Sequence, residues 1–207
     1  MTKTKQSFAR SAGELVAIVV VALGLALGVQ AWLIKPYQIP SGSMEPTLHI
    51  HQRILVDRLG MHFGSPHIGE IMVFHPPADY TSCADPKQGD NDGGVPESRA
   101  CDVVGAQESS VTFVKRVVGL PGDHLRIING HVFRNGKEES AHYAVPCDGN
   151  PVCNFPKTIV VPKGDYYMMG DNRPDSEDSR FWGPVPRNWL IGGVFFTYWP
   201  IDRIGFL

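Results

Sequence analysis

From Thr112 to Gly136 the chain reads TFVKRVVGLPGDHLRIINGHVFRNG. Three runs rich in valine, isoleucine and phenylalanine, Thr112 to Val118, His124 to Ile128 and His131 to Arg134, are broken by Gly-Leu-Pro-Gly and by two Asn-Gly pairs. β-branched and aromatic side chains suit a pleated, half-buried surface, and Asn-Gly supplies the two positive-φ residues of a tight hairpin. Asn129-Gly130 and Asn135-Gly136 are therefore read as hairpin turns, and the stretch as antiparallel sheet. Similar short runs lie on either side: Arg53 to Asp57 and Glu70 to Phe74 before it, Lys157 to Val161, Tyr166 to Met169 and Gly193 to Trp199 after it. With 22 glycines and 17 prolines punctuating 207 residues, a mainly β domain with many turns is the simplest outcome. Residues 76–110 turn to Asp, Gly, Ser, Pro and Asn, and read as a long surface loop.

A net charge of −2 with no basic block argues against a nucleic-acid partner. The four cysteines, Cys83, Cys101, Cys147 and Cys153, contain no C-x-x-C pair, which argues against zinc. Cys147 and Cys153 bracket a short polar turn with Gly149 and Pro151, so a local disulfide is expected there if the compartment is oxidising. A Cys83–Cys101 pair would close the longer polar loop; four free thiols in a reducing compartment are the alternative. His49 and His51 alternate on one strand face without an evident third ligand, and no metal is expected.

Leu15 to Ile34 is a 20-residue stretch with no charge and one strongly polar residue, Gln30. At about 1.5 Å rise per residue a helix of that length matches the hydrocarbon core. Lys3, Lys5 and Arg10 precede it and Trp32 stands near its far end, so the N-terminus is expected in the cytoplasm and the rest of the chain outside. The division is then a cytoplasmic segment 1–14, a transmembrane helix 15–34 ended by Pro36, and a folded extracytoplasmic domain 35–207. Val29-Gln30-Ala31 leaves a second reading, a removable leader with a small-x-small cleavage site.

Three segments carry chemistry. Pro40-Ser41-Gly42-Ser43-Met44 follows the apolar stretch, where glycine lets a backbone approach closely and expose amides. Lys115 sits inside an apolar run, on the strand face shared by Phe113 and Val117, with Arg116 facing the other way. If buried there, its charged form is disfavoured and its pKa falls from about 10.4; the neutral amine could then take a serine proton. Gly170-Asp171-Asn172-Arg173-Pro174-Asp175-Ser176-Glu177-Asp178-Ser179-Arg180 gathers charge and serines in a turn-like stretch.

Together with Lys115-Arg116-Val117-Val118-Gly119-Leu120-Pro121-Gly122-Asp123, these blocks resemble bacterial type I signal peptidase, also called leader peptidase. Gly69-Glu70-Ile71-Met72-Val73-Phe74 is similar to a further block of that family, with Glu70 where Asp is more usual. The resemblance runs in order from about Pro36 to Ile191. It implies a membrane-bound serine endopeptidase without metal or organic cofactor, facing the periplasm from a bacterial inner membrane, whose partners are exported preproteins and the lipid bilayer. Ser43 would be the nucleophile and Lys115 the general base. Ser41 would join the Ser43 N–H in the oxyanion hole, and Ser176 would hold the Lys115 amine. Asp178 and Arg180 would pair, and Gly170 would keep the neighbourhood open. Ile39, Met44, Leu48, Val73, Phe113 and Val114 match or neighbour the shallow apolar pockets that accept an Ala-x-Ala signal. A monomer is expected. The polar stretch 76–110 has no role in this comparison, and one span replaces the two of some relatives. Rival readings are a peptidase dedicated to one exported substrate and a non-catalytic anchored module that grips signal peptides.

Overall fold

The computed structural model describes residues 3–78 and 99–207; residues 79–98, with Cys83, lie outside that description, as do the side chains of 3–12, Ala26, 29–32 and His62. The first element, α1 (Lys3–Trp32), is one continuous helix, so no break separates the expected segments 1–14 and 15–34. Its side chains from Leu15 to Leu27 that are described stand open, Ile18 at 66% and Leu25 at 67%. Among the described residues no helix is long and apolar enough to cross a membrane. The expected span includes Ala26 and Val29 to Trp32, whose side chains are not described.

Pro36 does not end this helix. α1 stops at Trp32, and Pro36 lies within β1 (Ile34–Gln38), opposite Leu55 of β2 (Arg53–Asp57). β1 forms the rim of its sheet. An edge strand is where a residue without an N–H costs no ladder bond. A short helix, α2 (Gly60–Phe63), leads to β3 (Ile71–Phe74), and β4 (Phe113–Gly119) pairs back along it. Then come β5 (His124–Ile128), β6 (His131–Arg134), β7 (Lys137–Glu138) and β8 (Phe155–Val160). β9 (Asp165–Met169), α3 (Ser179–Trp182), β10 (Val185–Pro186), β11 (Leu190–Trp199) and β12 (Gly205–Phe206) complete the chain.

All ladders between these strands are antiparallel: a large sheet in the order β1-β2-β11-β3-β4-β9-β10, with β12 beside β11, and a small one, β7-β6-β5-β8. The hairpin turns fall where Asn-Gly marks them, with φ of 50° and 82° at Asn129 and Gly130. The sheets are covered on both faces where the site lies. Along β3, Met72 and Phe74 enter one cluster with Val117, Met168 and Trp182, while Ile71 and Val73 enter another with Ile39, Met44 and Leu48. A third cluster joins the small sheet to β9 through Leu125, Ile127, Val132, Tyr167 and Met169. Each such fully buried side chain contributes about 2 kcal/mol, which fixes register, since a one-residue slip would exchange the faces.

The return limb of the polar stretch is more than surface. Arg99 bridges Lys157, Ala100 joins the third cluster, and the buried Cys101 donates its N–H to the Arg180 carbonyl at 2.9 Å. Cys147 and Cys153 form a disulfide across their six-residue separation. The pairing of Cys101 with Cys83 falls outside the described residues.

Candidate active site

Ser43 is presented by a single 3-10 turn, Gly42–Met44, closed by the Glu45 N–H donating to the Gly42 carbonyl at 3.0 Å. Met44 and Leu48 are buried in the core, so this turn is pinned from beneath while Ser41 and Ser43 remain accessible. The first amides of a helical turn have no acceptor within it, so the Ser43 N–H is not used inside the turn. The two hydroxyls lie 3.4 Å apart.

Lys115 comes to Ser43 from β4. It sits opposite Met72 of β3 in the ladder, and one step beyond the Arg116–Met169 pair lies Gly170 on the other side. Its Nζ donates to Ser43 Oγ at 2.6 Å, and the residue is 4% exposed. Burial pulls its pKa down from 10.5 to about 8, although the nearby Asp178 carboxylate pushes the other way. Desolvation wins because, among the described residues, no carboxylate is hydrogen-bonded to the amine: its partner is a neutral hydroxyl.

Gly170 is the residue that lets these groups converge. A β-carbon there would fall 2.2 Å from Ser176 Oγ and 2.4 Å from the Ser43 carbonyl oxygen, closer than atoms can approach. Its N–H donates to Asp178 Oδ2 at 3.0 Å. Ser176 is therefore at the site, but its hydroxyl donates to Asp178 Oδ2 at 2.7 Å, and among the hydrogen bonds of the described residues none joins it to the Lys115 amine. Asp178 caps α3 through the Arg180 N–H and takes two guanidinium bonds, Nε to Oδ1 at 2.8 Å and Nη2 to Oδ2 at 2.9 Å, with both residues fully buried. Burial alone would raise the Asp178 carboxyl, yet the Arg180 charge and hydrogen bonds, with Lys115 and the Gly170 amide, hold it below its ordinary range.

Further residues carry the site without having been assigned a task from the sequence. Arg116 makes a two-toothed pair with Asp171, Nε to Oδ1 at 2.8 Å and Nη2 to Oδ2 at 2.6 Å. Thr47 also donates to Asp171 Oδ2, at 2.5 Å. Asn172 grips the serine turn twice: its N–H donates to the Ser43 carbonyl at 3.1 Å and its Nδ2 to the Gly42 carbonyl at 3.2 Å. Arg173 donates from Nε to the Gly170 carbonyl at 3.0 Å and from Nη1 to the Gly130 carbonyl. A second charged residue inside the apolar run of β4 was the signal that could have found Asp171, because a buried guanidinium requires a planar acceptor.

The expected pocket residues divide. Ile39, Met44, Leu48 and Val73 share one core cluster and are buried, with Val114 partly exposed beside them; Phe113 packs against the other cluster and is also partly exposed. The first four are enclosed in the core against which the serine turn packs through Met44, and only Val114 and Phe113 keep part of their surface open. Among the described residues no group of three or more His, Cys, Asp or Glu is placed to hold a metal.

Comparison with known proteins gives one family. Residues 12–199 match the signal peptidase family, peptidase S26. The chain is 35% identical over 195 residues to a probable signal peptidase I-2 of Synechocystis sp. (strain ATCC 27184 / PCC 6803 / Kazusa), covering 94% of this chain and 76% of that one. It is 33% identical over 187 residues to signal peptidase I of Leptolyngbya laminosa, covering 87% and 76%. The crystal structure of a signal peptidase I from Enterococcus faecalis V583 is 24% identical, covers 62% of this chain and 96% of its own, and has a TM-score of 0.39.

Proposed function

The chain belongs to the signal peptidase family, peptidase S26, and from that membership we propose that Ser43 and Lys115 are the nucleophile and general base with which it cuts. It is a serine endopeptidase, a signal peptidase I, that removes signal peptides from exported preproteins. The observation that carries the assignment is the 2.6 Å contact between a buried lysine amine and an accessible serine hydroxyl. With its pKa near 8, Lys115 has about a tenth of its population neutral at pH 7, enough to accept a proton.

Ser43 Oγ attacks the scissile carbonyl as its proton passes to Lys115 Nζ. The carbonyl oxygen becomes an oxyanion beside the Ser43 N–H and the Ser41 hydroxyl. The C–N bond then breaks, the leaving amine takes the proton from Lys115, and an acyl ester remains on Ser43. Water, deprotonated by the same amine, releases the signal peptide. Each oxyanion donor is worth about 3 kcal/mol of barrier in serine hydrolases. Ser176 and Asp178 act behind the amine: Asp178, already engaged by Arg180, orients the Ser176 hydroxyl, which lies against Gly170.

Small side chains of an Ala-x-Ala signal suit a shallow surface floored by Ile39, Met44, Leu48 and Val73 and bordered by Val114 and Phe113. α1 is the membrane anchor in this reading, with the N-terminus in the cytoplasm and the catalytic domain outside. What supports that is the run of apolar side chains from Leu15 to Leu25 left uncovered among the described residues, an arrangement that is costly in water and favourable in lipid.

The test is cleavage of several preproteins in detergent micelles by the wild type and Ser43→Ala in parallel, with the product's new N-terminus sequenced. A cut after Ala-x-Ala by the wild type alone is expected. Cleavage by both proteins would remove Ser43 from its role. Binding without cleavage by either would favour the gripping module or a dedicated substrate.

A further inference from the structure

Residues 139–146 run from the end of β7 to Cys147 as a strap with no regular ladder, and neither the nucleophile nor the base lies on it. The strap is nonetheless fixed at both ends and in the middle. The Glu139 N–H donates to the Val132 carbonyl at 2.8 Å, and the disulfide to Cys153 holds Cys147. Near its end the Val145 N–H donates to the Asp171 carbonyl at 2.8 Å, and Val145 bridges Asn172 in parallel. At its centre the Tyr143 ring lies over the Arg116 guanidinium, 3.9 Å from ring centroid to Cζ. The Tyr143 hydroxyl is itself tied to Glu139 Oε1, and His142 meets the ring edge-on at 5.7 Å.

These contacts converge on the groups that hold the serine. Arg116 has its edge on Asp171 and its face under Tyr143, so the ring covers the side from which water would otherwise compete for the guanidinium. Asp171 accepts a bond from the hydroxyl of Thr47, four residues after Ser43, and its neighbour Asn172 donates to the carbonyls of Gly42 and Ser43. We propose that Tyr143 is a positioning residue for the catalytic serine: stacked on Arg116, it keeps the Arg116–Asp171 pair in one geometry and thereby holds the Ser43 turn at the Lys115 amine. This rests on the assignment of Ser43 and Lys115 made above. Burial raises the Tyr143 hydroxyl's pKa, and the Glu139 bond adds to the rise, so the ring stays neutral over the working range and its face keeps attracting the guanidinium.

A displacement of about 1 Å at a reacting atom is enough to cost about a hundredfold in rate. Full-length Tyr143→Ala, Tyr143→Phe and Ser43→Ala would be compared with the wild type in micelles on one preprotein. kcat is taken per folded enzyme and KM is measured separately, with a thermal unfolding midpoint for each. Tyr143→Ala should lose between about tenfold and a hundredfold in kcat with KM within about twofold, because the ring acts through Arg116. Tyr143→Phe, which keeps the stack and loses the hydroxyl, should return to within about threefold of the wild type. A merely structural tyrosine would lower the midpoint while leaving kcat per folded enzyme in place, and that result overturns the proposal. So does a Phe variant as slow as Ala, which would move the role to the Glu139 bond. If Ser43→Ala cuts at the wild-type rate, the nucleophile assignment fails whatever Tyr143 does; if it is inert and Tyr143→Ala is normal, only the positioning role fails.

Discussion

Replacing Lys115 by methionine should make the protein more stable and inactive. Lysine 115 is 4% exposed and its pKa falls from 10.5 to about 8, so its ammonium form is disfavoured in the native state. One pKa unit corresponds to about 1.4 kcal/mol, which puts the native-state penalty at about 3 kcal/mol wherever the lysine is charged in both states. That is everywhere below pH 8. Between 8 and 10.5 the native protein releases the proton while the unfolded chain keeps it, so the wild type gains stability as pH rises. Above 10.5 both states are neutral and the penalty is gone. Methionine fills a similar volume and has no charge to desolvate. At pH 6 the variant's midpoint should lie about 6–12 °C above that of the wild type for a chain of this size. The gap should close between pH 8 and 10.5. Tryptophan fluorescence of the full-length proteins in detergent, heated at a series of pH values, measures it, and groups that titrate alike in both proteins cancel in the difference. A variant no more stable than the wild type at pH 6, or a gap that ignores pH, would refute the claim that Lys115 is held against its own desolvation.

The same pKa governs the rate. Acylation followed in single turnovers should rise about tenfold per pH unit up to pH 8 and then level, and a flat profile between pH 6 and 8 would count against Lys115 as base. Gly170→Ala would set a methyl 2.2 Å from Ser176 Oγ and 2.4 Å from the Ser43 carbonyl. A loss of 1–3 kcal/mol in urea unfolding and about a hundredfold in kcat is expected; near-normal cleavage would show that the close approach is not needed. Asp178→Asn leaves the fully buried Arg180 without its carboxylate. Its unfolding free energy should drop by about 3–5 kcal/mol, and a change under about 1 kcal/mol would mean that the pair is solvated in solution.

Much of the sheet is legible in the sequence because β-branched alternation and Asn-Gly act locally. β2, β5 and β6 start and stop where the apolar runs do, and both Asn-Gly pairs turn as their chemistry requires. What the sequence hides is what neighbours decide. Proline 36 reads as a helix stop, yet it occupies a sheet rim, where its missing N–H has no ladder to serve. β7, β10 and β12 have two residues each, too few for any period to register. β11 begins at Leu190, three residues before the expected Gly193, because Gly192 and Gly193 break the apolar pattern while permitting the approach of Asp57 and Glu70. Ala100 and Cys101 sit in polar sequence and are buried by a chain that returns to them from elsewhere.

The site shows the same limit at a finer scale. Lys115 and Arg116 are adjacent, both lie in β4 and both are buried; strand alternation sends them to opposite faces, but the local sequence does not name the group each one meets there. Their partners separate them. Arg116 meets Asp171 through two bonds, and although burial opposes its charge, that carboxylate more than offsets the cost and raises its pKa. Lys115 meets a hydroxyl, while the acid that acts on it most strongly among the described residues, Asp178, has its oxygens taken by Arg180, Ser176 and the Gly170 amide. A fully paired ammonium would be as stable as the guanidinium next to it and useless as a base. The fold therefore has to bring a carboxylate near the lysine, to order Ser176, and at the same time occupy that carboxylate so that it does not take the lysine's proton into a salt bridge. Arg180, two residues from Asp178 and buried with it, does this, which is why the Asp178–Arg180 pair is inseparable from the basicity of the Lys115 amine.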